Sequence, residues 1–273
     1  MHCMTAAVNV SAQASTHPQG GAGSRSTVGE VAALTQFVGA AQQHEGAPVI
    51  PTAALQLQRR TFSKGEYLYD VGCEAHSAYV VEEGLVALTL GAVTDRQRVV
   101  ALAGPGDIIG ALTPDPSEHQ SGAVALSGEV AARVLPTGRS ADEANPVDPA
   151  DPAEPKERES IFSDLLTAAA GDQIQRLTWA LEDSAYPVPA RVARTLLRLG
   201  QRFGHHTDDG TVRLTLPVTH ETLASLVGAA RETTTYTIQQ LRKKGLLAGT
   251  RGSYRFEPSA LARFADDAAL AGR

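Results

Sequence analysis

Arg231 and Glu232 stand together at the head of a run in which Thr233, Tyr236 and Gln239 share one face at helical spacing. These side chains suit base-pair edges. An arginine can donate two hydrogen bonds to guanine O6 and N7, and a glutamate can accept one from cytosine N4. Thr234, Thr237, Ile238 and Leu241 fall on the opposite, inward face. Thr219, His220, Thr222, Lys243 and Arg251 flank this row as candidate phosphate contacts, which fix register without reading sequence. The plainer alternatives are a surface ion pair for Arg231–Glu232 and solvated side chains for the rest.

Such a row needs a rigid helix held away from the protein's bulk. Residues 218–256 supply one, reading as helix, tight turn, second helix and a two-stranded wing. Leu223, Leu226 and Val227 give the first helix its apolar face. Gly228 breaks it, and the second helix stops at Gly245, a residue suited to a left-handed helix end. Two helices joined in this way can set the second in the DNA major groove. Ala230 occupies the cap position of the second helix, where alanine cannot accept orphan backbone N–H groups.

The 273-residue chain has a net charge of −6, which by itself argues against nucleic acid. The distribution reverses that reading. Residues 190–256 hold eleven basic and four acidic side chains, a local balance of +7 that leaves −13 for the remainder. A basic module on an acidic body approaches phosphates with one face.

Other chemistries find little support. The two cysteines, Cys3 and Cys73, cannot supply a disulfide framework or a four-thiolate cluster. No G-x-S-x-G, Walker or H-E-x-x-H motif points to an enzyme. His76 beside Cys73, and His205-His206 with Asp208-Asp209, read as solvated loop residues rather than haem or metal ligands, and no metal is expected. No apolar run suits a bilayer span and no secretory signal opens the chain, so a membrane partner is not expected and a reducing cytoplasm is.

Along the chain, residues 1–50 read as a flexible tail with a possible short helix near Val31–Val38. Residues 51–135 carry short β-rich runs punctuated by glycine, as in a small barrel or sandwich. Residues 136–156 form a Pro-rich acidic insert, and 157–186 a long helix closed by Pro187 and Pro189. Residues 187–273 open with an amphipathic helix from Arg191 to Phe203 and a strand from Val212 to Leu216. Ile161, Leu165, Ala168, Ile174, Leu177 and Leu181 make an apolar stripe on the long helix. Periodicity alone does not decide whether it packs on its own β domain or on a second copy.

The motifs KGEYLYDVG (64–72), AYVVEEGLVAL (78–88), GPGDIIG (104–110), RVARTLLRLG (191–200) and GAARETTTYTIQQLRKKGLL (228–247) resemble those of the Crp/Fnr family of bacterial transcription regulators. The resemblance spans about 57 to 256. It implies an α+β chain with an N-terminal β-roll, a long dimerisation helix and a C-terminal winged helix-turn-helix. It further implies a homodimer, with the stripe as its seam, on double-stranded DNA of roughly palindromic sequence. RNA polymerase would be a partner if the protein activates. The family keeps an Arg-Glu pair at the start of the recognition helix, as here, but Tyr236 stands where its best-known member has a second base-reading arginine.

The resemblance also locates a ligand pocket, and there the sequence departs. Cyclic-nucleotide-binding relatives hold the ribose with a Gly-Glu pair and the phosphate with an Arg-Ser pair. This chain has Gly110-Ala111 and Gln120-Ser121, with Arg176 and Leu177 at the long-helix positions that touch the base. Both charged contacts are lost, and these are the strong ones. The expectation is a degenerate pocket with no cofactor, cyclic AMP binding being absent or weak. The competing class is a ligand-sensing module whose winged helix docks another protein.

Overall fold

The computed structural model describes residues 57–91, 98–112, 117–137, 155–250 and 252–271. The N-terminal tail and its possible helix, nearly all of the Pro-rich insert, and Arg251 lie outside the described residues.

Among the described residues eight strands build the first half: β1 (Arg59–Ser63), β2 (Tyr67–Tyr69), β3 (Ser77–Glu83), β4 (Val86–Leu90), β5 (Arg98–Ala103), β6 (Ile108–Gly110), β7 (Gly122–Ala125) and β8 (Glu129–Pro136). They form two antiparallel sheets, ordered β1-β8-β3-β6 and β2-β7-β4-β5. Phe62, Tyr79, Val81, Ile109 and Val130 from one sheet meet Leu68, Val86, Leu88 and Ala101 from the other in a closed core. Alternate side chains of a strand face opposite ways. On β3 the reverse face is also covered, because Ala78 and Val80 pack with Leu135 and with Leu166 of the long helix. That double burial explains why this strand reads as an unbroken apolar run.

The second sheet is shared in the same manner with the other half of the molecule. Leu85, Ala87 and Leu102 join one apolar cluster with Val192, Leu196, Leu223 and Val227 of the C-terminal half. β5 is the edge strand, and it carries a bulge: Leu88 pairs with Ala101 and Thr89 with Val99, leaving Val100 extra. An extra residue resets the alternation. Val100 and Ala101 therefore both turn inward, while Val99 and Leu102 face the C-terminal half.

The long helix α1 spans Pro155–Ser184. Pro187 and Pro189 do not end it. Pro187 caps the next helix, α2 (Val188–Phe203), and Pro189 lies in its first turn, where a missing N–H costs nothing. The bend is locked by charge. Buried Asp183 accepts from Arg194 Nε (2.7 Å) and Arg198 Nη2 (2.8 Å), while Arg198 also lies over Trp179 and Arg194 over Tyr186.

Then follow β9 (His205–His206), β10 (Val212–Thr215), α3 (His220–Val227), α4 (Arg231–Lys243), β11 (Ala248–Thr250), β12 (Ser253–Phe256) and α5 (Pro258–Leu270). The wing is not an isolated two-stranded hairpin. β12 also pairs with β10, giving a four-stranded sheet ordered β11-β12-β10-β9. Helix α5 has no counterpart in the sequence reading; it buries Leu261 and Ala265 against the same core.

Candidate nucleic-acid interface

Helix α3 begins at Thr219, whose hydroxyl accepts from the Thr222 backbone N–H at 3.1 Å. It ends at Gly228, in the left-handed conformation at φ 68°. That conformation suits glycine. The space is also taken: a Cβ at Gly228 would strike the guanidinium of Arg98, which reaches over from β5. Arg191 Nη1 donates to the carbonyls of Val227 (3.2 Å) and Gly228 (3.1 Å) at the end of the helix, completing the turn.

Helix α4 then presents two opposed faces. Thr234, Thr237, Ile238 and Leu241 are buried, the last two completely. Arg231, Glu232, Thr233, Tyr236 and Gln239 are all exposed, Tyr236 by 61%. No ion pair joins Arg231 to Glu232, and neither is engaged by another described residue. Ala230 is the N-cap and offers no side-chain acceptor, so the first N–H groups of α4 point outward with only Glu232 in the first turn to complement the dipole. Arg242 and Lys243 fill the last turn, matching its negative end.

The flanking candidates divide. Lys243 is exposed beside the reading face. Thr219 and Thr222 lie at the α3 start, their hydroxyls 3.0 Å apart, already used in capping. His220 is half-buried, its Nδ1 3.2 Å from Thr235 Oγ1, and so ties α3 to α4. Behind the wing sheet, hydrogen bonds from Thr207 and Thr211, with Arg255 alongside, hold the Asp209 carboxyl well below the usual range. Among the described residues no group of three or more His, Cys, Asp or Glu side chains is placed to hold a metal.

On the β domain, a cavity of about 80 Å³ is lined by Leu88, Leu90, Val100, Ala101, Gln120, Ser121, Gln173, Arg176 and Leu177. The bulge in β5 puts Val100 and Ala101 side by side in its wall. Gln120, Ser121 and Arg176 are thus brought together. Gly110 and Ala111 are not among the lining residues: Gly110 pairs with Ala78 of β3, and Ala111 N bonds Ser77 O at 3.1 Å. Burial pushes the nearby Tyr69 phenol up. Arg176 is buried, and its Nη2 is committed to Asp107 (3.1 Å) and Asp172. Close by, His119 stacks on Tyr69 at 4.1 Å, and burial depresses its imidazole to about 4.

The stripe on α1 is likewise divided. Ala168 is half-buried and Leu177 meets the cavity, but Ile174 and Leu181 are 64% and 72% exposed. They do not pack on their own β domain. The side chains of Ile161 and Leu165 lie outside what is described.

A helix with a buried apolar back and an exposed polar front, buttressed by a wing and mounted on a two-sheet domain, defines a winged helix-turn-helix protein with a sensor-type β domain. Comparison with known proteins agrees on both halves. The cyclic nucleotide-binding domain family matches residues 59–139 and the Crp-like helix-turn-helix domain family matches residues 190–264. The CRP-like cAMP-activated global transcriptional regulator of Mycobacterium tuberculosis is 31% identical over 192 residues, which cover 70% of this chain and 80% of that one. The fold is that of FixK2 from Bradyrhizobium japonicum (TM-score 0.60, 22% identity, 76% of this chain and 96% of that one). It is also that of a CooA mutant from Carboxydothermus hydrogenoformans (TM-score 0.61, 17% identity, 84% and 95%). The chain belongs to the Crp/Fnr family and is a transcription regulator with a helix-turn-helix DNA-binding domain. Among the described residues no helix is long and apolar enough to cross a membrane.

Proposed function

We propose that the protein binds a roughly palindromic operator as a homodimer, reads bases with α4, and does so without cyclic AMP. In this reading residues 51–135 are the sensor-like domain, 157–186 the dimer helix and 187–273 the DNA-binding domain. The observation that carries it is the set of five outward side chains on α4, each exposed and none engaged through its side chain by another described residue. Arg231 donates to a guanine and Glu232 accepts from a cytosine, with Thr233, Tyr236 and Gln239 filling the groove. Lys243, Thr219, Thr222 and His220 approach phosphates, and the unfilled N-terminus of α4 suits a phosphate as well.

The dimer rests on Ile174 and Leu181, which stand seven residues apart on the outward face of α1, with Leu177 between them at the cavity's margin. Two-fold symmetry then calls for two half-sites about one helical turn apart. RNA polymerase is a further partner if the protein activates.

Independence from cyclic AMP rests on the cavity. Ligand sites usually run to roughly 300–1,000 Å³, several times this volume. Among the described residues its wall has no carboxylate, and the guanidinium of Arg176 is already paired with Asp107 and Asp172. The M. tuberculosis relative is described as cAMP-activated, so the contrast is directly testable. Selection of bound duplex from a random pool, with purified protein and no nucleotide, should recover a two-fold symmetric sequence. Failure to enrich any sequence would refute the reading. Calorimetry with cyclic AMP should show no binding at micromolar concentration; binding at that level would remove the independence. A salt titration separates DNA from protein docking, since phosphate binding weakens steeply as salt rises.

A further inference from the structure

Three parts of the molecule meet at one carboxylate. Asp107 lies in the turn between β5 and β6, and its Oδ2 accepts from the Gly104 backbone N–H at 2.6 Å, which fixes the side chain. Its Oδ1 accepts from two guanidinium groups at once. One is Arg176 of α1, at 3.1 Å, whose side chain lines the cavity. The other is Arg202, in the last turn of α2, within the DNA-binding half. Arg202 Nη1 also donates to Leu102 O at 3.0 Å, and its neighbour Phe203 lies so close to Gly104 that a Cβ there would come within 2.7 Å of the ring.

The same domain contact is repeated one strand-length away. The Val99 N–H of edge strand β5 donates to Ser225 Oγ of α3 at 2.7 Å, and Arg98 Nε donates to Ser225 O at 3.3 Å. None of these contacts covers the outward face of α4, whose five candidate reading side chains remain exposed while the domain is docked.

We infer that Asp107 is a positioning residue for DNA recognition: through Arg202 it holds the DNA-binding half against β5 in its binding orientation, and Arg176 competes for the same oxygen. The two guanidinium groups repel each other across Oδ1, so each weakens the other's hold on it. Removing Arg176 therefore hands the carboxylate to Arg202 and tightens the dock. Removing Arg202 or the charge of Asp107 loosens it. Two arginines on one carboxylate thus have opposite effects on DNA binding, which a residue with a merely structural role would not produce.

The inference rests on the DNA-binding reading, so its test has one readout that needs no DNA. Hydrogen exchange of the Arg98–Ala103 segment reports whether Val99 is held by Ser225. Duplex affinity is measured with a sequence recovered from the random pool by the wild-type protein. Asp107→Asn and Arg202→Gln should both speed exchange and weaken duplex binding by about fivefold or more. Asp107→Glu should restore both. Arg176→Met, which keeps an unbranched apolar stem in the cavity wall, should slow exchange and tighten duplex binding. Gly104→Val, which touches no charge, should loosen the dock by pushing on Phe203 and so tests it should the Asp107 variant misfold. Unaltered exchange in Asp107→Asn and Gly104→Val would overturn the joint. Weaker duplex binding by Arg176→Met would overturn the competition. Faster exchange with unaltered duplex affinity would overturn the link to recognition. A wild-type protein that binds no duplex would sink the DNA reading, and exchange would still decide the joint.

Discussion

The outward face of α4 and the cavity under β5 are both polar sites, yet they are opposite in state. On the outward face of α4 the polar groups are exposed: Arg231 and Glu232 engage no other described residue, and the N-cap Ala230 offers no side-chain acceptor. Around the cavity the charged group is held by the protein itself, although the buried Arg176 Nε has no hydrogen-bond partner among the described residues. Arg176 is buried and paired with Asp107 and Asp172. Polar groups in water cost nothing to leave open, whereas buried ones must be satisfied. One region is kept ready for an external partner, and in the other the guanidinium is held by the protein's own carboxylates. Substitutions on the outward face of α4 should therefore register in DNA binding and leave stability alone, while those around the cavity should register in stability.

The largest effect should come from the helix that serves both regions. Ile174→Asp with Leu181→Asp places carboxylates on the exposed ridge of α1. Sedimentation should show a single subunit, and duplex affinity should fall by roughly 100-fold or more as the two half-sites cease to act together. A dimer that survives both changes would place the seam elsewhere.

Next is acid stability in the β domain. The folded His119 titrates at about 4, below its ordinary 6.5. The folded state thus resists protonation that the unfolded chain accepts. The stability this represents is complete above pH 6.5 and is lost as pH falls from there toward 4, by as much as about 3 kcal/mol. Melting of His119→Phe, which keeps an aromatic ring against Tyr69, should lack this decline across that window. An identical acid profile for variant and wild type would show that His119 does not carry it.

Arg231→Ala should cost about 1–3 kcal/mol of discrimination at one guanine per half-site and leave the melting temperature unaltered. Titration against a panel of operator variants checks this. Equal loss on every sequence would make Arg231 a phosphate contact. The smallest effect belongs to the open helix start. Ala230→Ser should stabilise the fold by about 0.5–1 kcal/mol, read by denaturant unfolding. No gain would mean that the first turn is already satisfied by water.

The contrast between the two regions also marks what could be read from the sequence. The helix-turn-helix was legible because its signals are local: Gly228, Gly245 and the alternation of buried Ile238 and Leu241 with exposed Tyr236 and Gln239 lie within about twenty residues. The dimer ridge was only half legible, since helical periodicity finds an apolar stripe but not its partner. The fate of Arg176 is only half legible: Asp172 stands four residues earlier on the same helix, but Asp107 comes from a distant turn. The dual role of β5 was hidden for a similar reason. A bulge depends on pairing with β4, and nothing local to Val99-Val100-Ala101 announces it. Helix α5 escaped notice because Leu261 and Ala265 are its only fully buried side chains among many alanines, too weak a pattern to stand out. Pro189 was misjudged because a proline that ends one helix and a proline that starts the next look alike in a sequence.

The hydroxyl of Ser225 has a consequence beyond posture. β5 borders its sheet, and an uncovered border strand invites pairing with another chain. In the intact protein a side chain from the far half occupies the Val99 amide. Shortening the protein to its first half would leave that border bare, together with Leu85, Ala87 and Leu102, which now lie beneath the C-terminal helices. Such a fragment should clump in solution, because the part that grips the operator also serves as the sheet's guard rail.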